Sequence, residues 1–242
     1  MARERYLLDN EESTIHANQI VPTTAKEKRA NWWYHYKGKL IAGVILGAVL
    51  ISLIWTMLDR ENPDYKVMIA TQYEVPQTLI YDLEDHFAQY ADDRNGDGKI
   101  EVSVENCMFD TISTDSYAAT ELQSAFVRFA ADAGAGESMI FIYDDPSYEF
   151  LSQDGMDGFF GPVDDTDNEY YLWGDLVSLS QLELDQYSAE GATSEGVQRI
   201  FSTLKIAVRS EQGDAFLNDE VKQYRLDSIE MYKRMMDGTK TQ

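Results

Sequence analysis

The stretch with the sharpest chemical pattern is Asp93-Arg94-Asn95-Gly96-Asp97-Gly98-Lys99-Ile100. Asp93, Asn95 and Asp97 stand at the first, third and fifth positions of a loop, a spacing that can converge three side-chain oxygens on one point. Gly98 at the sixth position permits the sharp turn. Lys99 offers a backbone carbonyl, and Ile100 ties the loop to a following strand. The D-x-N-x-D-G pattern suits a hard cation such as Ca2+, which takes about six to eight oxygen ligands. Glu101, at the ninth position, can coordinate directly or through water, but the twelfth position is Val104, so the usual bidentate carboxylate is missing. The remaining ligand would have to come from Asp92, Glu105 or elsewhere, and a Ca2+ held here would be structural. The same residues also make an Asn-Gly-Asp-Gly surface turn between a helix and a strand, and the sequence leaves both readings open.

Raw material for catalysis is scarce. The three histidines are His16, His35 and His86. The first two fall before or beside an apolar span and the third lies in a helical pattern, where a surface or satisfied histidine is the ordinary outcome. A Ser-His-Asp or Cys-His site or a histidine zinc site has almost nothing to draw on. Cys107 is the one cysteine, so no internal disulfide can form, and it reads as a free structural thiol. No G-x-G-x-x-G or Walker-type loop occurs. These features point to a non-catalytic protein.

A second candidate site depends on the fold. Tyr65–Ala70 (YKVMIA) reads as a compact apolar strand. Leu79, Ile80, Leu83, Phe87 and Tyr90 recur at helical spacing after Pro76, and Ile100–Val104 alternates as a strand. A helix is expected over Tyr117–Ala133, and Met139–Tyr143 reads as a third strand, apolar on both faces. The resulting βαβαβ order predicts an α/β fold, a single wound domain with a parallel sheet covered by helices. Ligands of such sheets settle beyond the strand C-termini. Thr71, Gln72 and Tyr73 arrive there after the first strand, and Asp144 and Asp145 after the third, with Tyr148, Phe159 and Phe160 close behind. Aromatic faces beside carboxylates suit sugars or cations. They equally suit packing and helix capping, since Asp144-Asp145-Pro146 opens a helix well. Ser202–Arg209 reads as a further strand, and a last helix is expected from the Asn218 cap to Gly238.

These elements follow the apolar stretch 40–58, LIAGVILGAVLISLIWTML, which has no charge and no Pro. About 20 such residues span the hydrocarbon core of a bilayer. The span divides the chain into a cytoplasmic tail over 1–39, polar and disordered over 1–31 with a basic, aromatic juxtamembrane segment, a transmembrane signal anchor over 40–58, a linker over 59–64 and an extracellular domain over 65–242. Lys26, Lys28, Arg29, Lys37 and Lys39 precede the span, against Arg60 and Lys66 close behind it, which predicts a cytoplasmic N-terminus and an extracellular domain. Trp32, Trp33, Tyr34 and Tyr36 form an inner aromatic belt and Trp55 an outer one. Gly43 and Gly47 make a GxxxG that would permit helix pairing. The net charge is −23: residues 1–60 hold 8 basic and 6 acidic side chains, leaving 12 basic and 37 acidic in the rest. A domain that acidic repels nucleic acid and favours cations and basic partners.

From a strand ending near Asn106 through ELQSAFVRFAADAGAGESMIFIYDDPSYEFLSQDGMDGFF, the chain resembles the first lobe of extracellular solute-binding proteins of bacterial sugar transporters. The resemblance covers about residues 64–160 and includes the DRNGDGKIEV insertion. It implies a periplasmic-binding-protein-like α/β lobe with a binding or interaction role on a bacterial surface, carried on a membrane helix in place of the family's lipid-modified cysteine. A small-molecule ligand at the strand edge is one expectation. A structural or assembly role among envelope or transporter proteins, with an apolar patch on the irregular 150–196 segment, is the other.

Overall fold

The computed structural model describes residues 24–58, 63–113, 116–153, 158–163, 168–187 and 194–241. His16, the tail over 1–23, residues 59–62 of the linker and the side chain of Trp55 lie outside what it describes. The chain divides into two compact units, Met1–Glu61 and Asn62–Gln242.

In the first unit, helix α1 runs Ala25–Leu58, fifteen residues earlier than the apolar span alone suggests. The cause is a capping box. Thr24 Oγ1 accepts from the Glu27 amide and Glu27 Oε2 accepts from the Thr24 amide, both at 3.3 Å, which satisfies two N–H groups that a helix start leaves orphaned. Residues 25–31 of the expected disordered tail, and the juxtamembrane segment up to 39, are therefore helical. Trp32 stacks on Tyr36 with centroids 5.7 Å apart, and Lys37 and Lys39 each lie 5.4 Å from a tyrosine centroid, on Tyr34 and Tyr36 respectively. Among the described residues this is the one helix long and apolar enough to cross a membrane.

The second unit is built on β1 (Tyr65–Thr71), which pairs in parallel with β2 (Val102–Met108) on one side and β3 (Ile140–Tyr143) on the other. Two right-handed crossovers that leave in opposite directions must lie on opposite faces. Helix α2 (Gln77–Ala88) accordingly covers one face and α3 (Ser116–Ala135) the other. The residues of β1 obey this constraint. Val67 and Ile69 pack with Leu79, Leu83 and Phe87 of α2, whereas Met68 and Ala70 pack with Ala125 and Phe129 of α3. Each large side chain buried this way stabilises the fold by about 1.5–3 kcal/mol.

The sheet is mixed, not purely parallel. After α4 (Asp145–Ser152) the chain makes a long excursion through β4 (Phe160–Gly161), β5 (Tyr171–Leu172), α5 (Val177–Ser180) and α6 (Ser194–Ser202). It returns as β6 (Lys205–Arg209), antiparallel to β3, and β4 and β5 add antiparallel to the far side of β6. The order is β2-β1-β3-β6-β4. A strand expected to start at Ser202 starts instead at Lys205, because α6 runs to Ser202. The last helix, α7 (Asp219–Asp237), is capped by Asn218 Oδ1 on the Glu220 amide at 2.9 Å and ends at Gly238 in the left-handed region. Its Met231, Tyr232 and Met235 complete the α2 face.

Strand β2 starts two residues later than its alternation suggests because a buried carboxylate holds the residues before it. Asp64 is 1% exposed. Its Oδ1 accepts from the amides of Arg94 and Asn95 at 2.8 and 2.9 Å, and its Oδ2 accepts from that of Glu101 at 2.9 Å. Three N–H donors from the 94–101 loop thus close on the residue preceding β1. Charge-assisted bonds of this kind are each worth about 1.5–3 kcal/mol. Asp64→Ala is expected to lower unfolding stability by about 3 kcal/mol or more, and Asp64→Asn by less, in chemical denaturation of the full chain. Equal stability of wild type and Asp64→Ala would remove this carboxylate from the account.

Candidate functional site

The sheet brings the expected edge residues together, but the two sides of β1 end differently. On the β3 side the edge is closed. Asp144, at 9% exposure, caps α4 through Oδ1 on the Ser147 amide (2.9 Å) and reaches across to β1 through Oδ2 on the Gln72 amide (2.8 Å). Asp145 forms an ion pair with Lys205, whose ammonium also lies 4.3 Å from the Tyr170 centroid. Thr71 Oγ1 donates to the Tyr73 carbonyl, and toward β2 Gln72 Nε2 donates to Thr111 Oγ1 just beyond that strand. Polar groups at this point are thus bonded to one another. The aromatic residues expected to face a ligand are packed instead: Tyr143 stacks on Phe160 with centroids 4.9 Å apart, Tyr148 stacks on both, and Phe159 lies edge-on to Phe141. Burial pushes the Tyr143 phenol well above its ordinary range, so it stays protonated.

On the β2 side the edge is open. A cavity of about 480 Å3 lies between the segment after β1, the end of β2 and α3 from Tyr117 to Arg128. Glu74, Asn106, Tyr117, Glu121 and Arg128 line it, together with Met108, Ser124 and Ala125. Glu121 and Arg128 share a face of α3 because they are two helical turns apart. The Tyr117 hydroxyl bonds Glu121, which with the nearby Glu74 charge raises the phenol pKa. Asn106 Oδ1 is buried without a donor, and among the described residues no acidic oxygen lies within the 4.0 Å of an ion pair from Arg128. Tyr73, named for this edge from sequence, is 55% exposed. Sequence reasoning missed Glu74, Asn106 and Arg128. Their signal was positional: Glu74 follows β1, and Asn106 comes three residues before the loop that leads to α3.

At the opposite edge, a cavity of about 330 Å3 is lined by Lys66, Arg94, Glu137, Glu220 and Tyr224. Its charges are largely spoken for. Lys66 pairs with Glu137 and Glu105, and the Arg94 guanidinium, 4.4 Å from the Tyr224 centroid, donates Nε–H to the Asp64 carbonyl.

The D-x-N-x-D-G loop adopts the shape its spacing suggests. Asp93 accepts from the amides of Gly96 and Gly98 (2.7 and 2.9 Å), Asn95 Oδ1 from that of Asp97 and Asp97 Oδ1 from that of Lys99 (both 2.8 Å). Gly96 and Gly98 take φ of 75° and 87°, which only glycine adopts freely. Glu101 leans on Lys99 at 3.8 Å, and Val104 is buried with its amide donated to Glu84 Oε1. The loop supplies two carboxylates and one amide oxygen; among the described residues no group of three or more His, Cys, Asp or Glu is disposed to hold a metal.

The nucleophile candidates are not assembled. His86 is half-buried and its Nε2 lies 3.0 Å from the Ser178 carbonyl, with burial lowering its pKa. Comparison with known proteins returns no matching family model, no matching curated protein and no matching solved structure. Cys107 is fully buried, and burial pushes its thiol up to about 11. At pH 8 such a thiol is about one part in a thousand thiolate. A thiol-reactive disulfide reagent is therefore expected to modify the native chain at least about a hundredfold more slowly than the denatured chain. Rapid labelling of the native protein would show that Cys107 is a reachable nucleophile.

Proposed function

We propose that this is a single-pass membrane protein of a bacterial surface, with a cytoplasmic N-terminus and a non-catalytic acidic α/β domain outside. In this reading the domain binds a small polar ligand at the C-terminal edge of its sheet, as a lobe of the solute-binding type would. The observation that carries it is the open β1–β2 edge, where Glu74, Asn106, Tyr117, Glu121 and Arg128 meet in a cavity of about 480 Å3. Cavities of roughly 300–1,000 Å3 with a few convergent polar groups are the size that small ligands use. The basic residues before the apolar span and the aromatic belt support the orientation. Protease added to intact cells is expected to degrade the domain over 63–241, while cells opened first give the same fragments. Protection of the domain in intact cells would place it inside and remove the extracellular reading.

A role as an assembly component within an envelope complex is the second reading. Exposed Tyr170, Leu172 and Val177, at 43, 39 and 40%, support it, since they fall in the segment from which a partner patch is expected. Co-purification of specific membrane partners, lost when these three residues are made polar, is its signature.

We also propose that the Asp93–Glu101 loop takes Ca2+ in a structural role. The ligands would be Asp93, Asn95 and Asp97 side chains, the Lys99 carbonyl and Glu101, with water supplying the rest. A site with so few carboxylates belongs to the weak, roughly millimolar class. At about 10 mM Ca2+ and a Kd of about 1 mM the stabilisation is about 1.4 kcal/mol. That corresponds to a rise of about 3–5 °C in Tm over a chelated sample. Asp97→Ala should abolish the rise, and a wild-type Tm indifferent to Ca2+ would leave the loop as a turn held by its own hydrogen bonds.

A further inference from the structure

The cavity at the β1–β2 edge holds both signs of charge without letting them meet. Glu74 and Glu121 are there, and so is Arg128, yet no Arg128 nitrogen lies within ion-pair distance of a carboxylate among the described residues. Glu121 and Arg128 are seven residues apart on α3, about 10 Å along its axis. Their heads therefore stand at two ends of a short gap. At the end of β2 the Asn106 Oδ1 is buried with no donor.

Resting on the reading of this edge as a ligand site, we propose that the cavity takes a small zwitterion, namely a free α-amino acid. Its ammonium would sit between Glu121 and Glu74, whose carboxylates are acceptors only. Its carboxylate would face Arg128, whose planar fork of donors matches a carboxylate. The exposed ring of Tyr117, its hydroxyl already bonded to Glu121, offers a face to the ligand side chain. A neutral sugar fits these groups less well. It would displace water from unpaired carboxylates and a guanidinium without supplying a countercharge, and uncompensated desolvation of charge is costly. A simple cation leaves Arg128 unmatched, and a simple anion leaves the two glutamates unmatched.

The test is calorimetric titration of the full chain in detergent micelles. The ligands are glycine, leucine, glutamate and lysine, the N-acetyl and methyl-ester forms of each, glucose and maltose. At least one free amino acid should bind, and blocking either end should weaken it by up to about fivefold, the worth of one solvent-shared ion pair. Arg128→Gln should erase the preference for free acid over ester, and Glu121→Gln the preference for free amine over N-acetyl. Both residues lie on a helix surface, and an unchanged Tm without ligand shows that the variants fold. Glucose or maltose binding that these variants weaken would overturn the zwitterion while keeping the edge as a ligand site. Amino-acid binding indifferent to both variants would overturn the assignment to this cavity. No binding by any compound would remove the proposal together with the reading on which it rests.

Discussion

The second unit depends on β1 being held at both ends and on both faces. Seven residues, Tyr65–Thr71, pair on either side with parallel neighbours, and each neighbour returns through its own helical crossover. A parallel strand gains nothing from a local hairpin, so its register must be set by contacts distant in sequence. Two buried aspartates supply them. Asp64 enters β1 and gathers three amides from the loop before β2, while Asp144 leaves β3 and takes the Gln72 amide that follows β1. Each carboxylate joins β1 to a different neighbour. A slip by one residue would unseat both anchors and turn Val67 and Ile69 out of the α2 layer.

That arrangement explains why the carboxyl edge is not uniform. Asp144 faces both the α4 amides and the β1 end, so the groove between β1 and β3 is filled by the residue that fixes their spacing. β2 lies at the sheet margin and has no such partner beyond it. On its outer side the Val104 amide donates to Glu84, and the cavity begins two residues further on at Asn106. Closure on one side and opening on the other follow from the same strand order.

Elements with a strong local signature were visible in the sequence, and those set by distant contacts were not. The 3.6-residue spacing of Leu79, Leu83 and Phe87 reports α2 because one face of that helix meets the sheet. Asn218 and Gly238 mark α7 because caps are local chemistry. The direction of β6 carries no such mark. Lys205–Arg209 is buried on both faces and reads the same whether it runs parallel or antiparallel, so only the excursion before it decides. The early start of α1 did have a local signal, the Thr24–Glu27 box, eclipsed by the hydropathy of the span behind it. At the edge, Asp144 and Asp145 follow β3 as their sequence order implies, whereas the residues around the open cavity carry no such mark. A charged side chain outside any ion pair looks in sequence like any other of the 12 basic and 37 acidic residues after position 60.

Electrostatics sets what that cavity can do. The domain carries roughly −25, so its long-range field draws cations inward and pushes anions away. A ligand carboxylate near Arg128 meets less repulsion from this field when its own charge is offset, as in the proposed zwitterion. At short range the field matters less than the local heads, because charges beyond about 8–10 Å are screened at physiological salt. Arg128 and Tyr117 are exposed, the latter at 72%, so water shares every contact made there. Each ion pair in such a setting contributes about 1 kcal/mol or less. In the proposed site selectivity would therefore come from satisfying both signs at once, by matching charges in pairs, with modest affinity that weakens as salt rises.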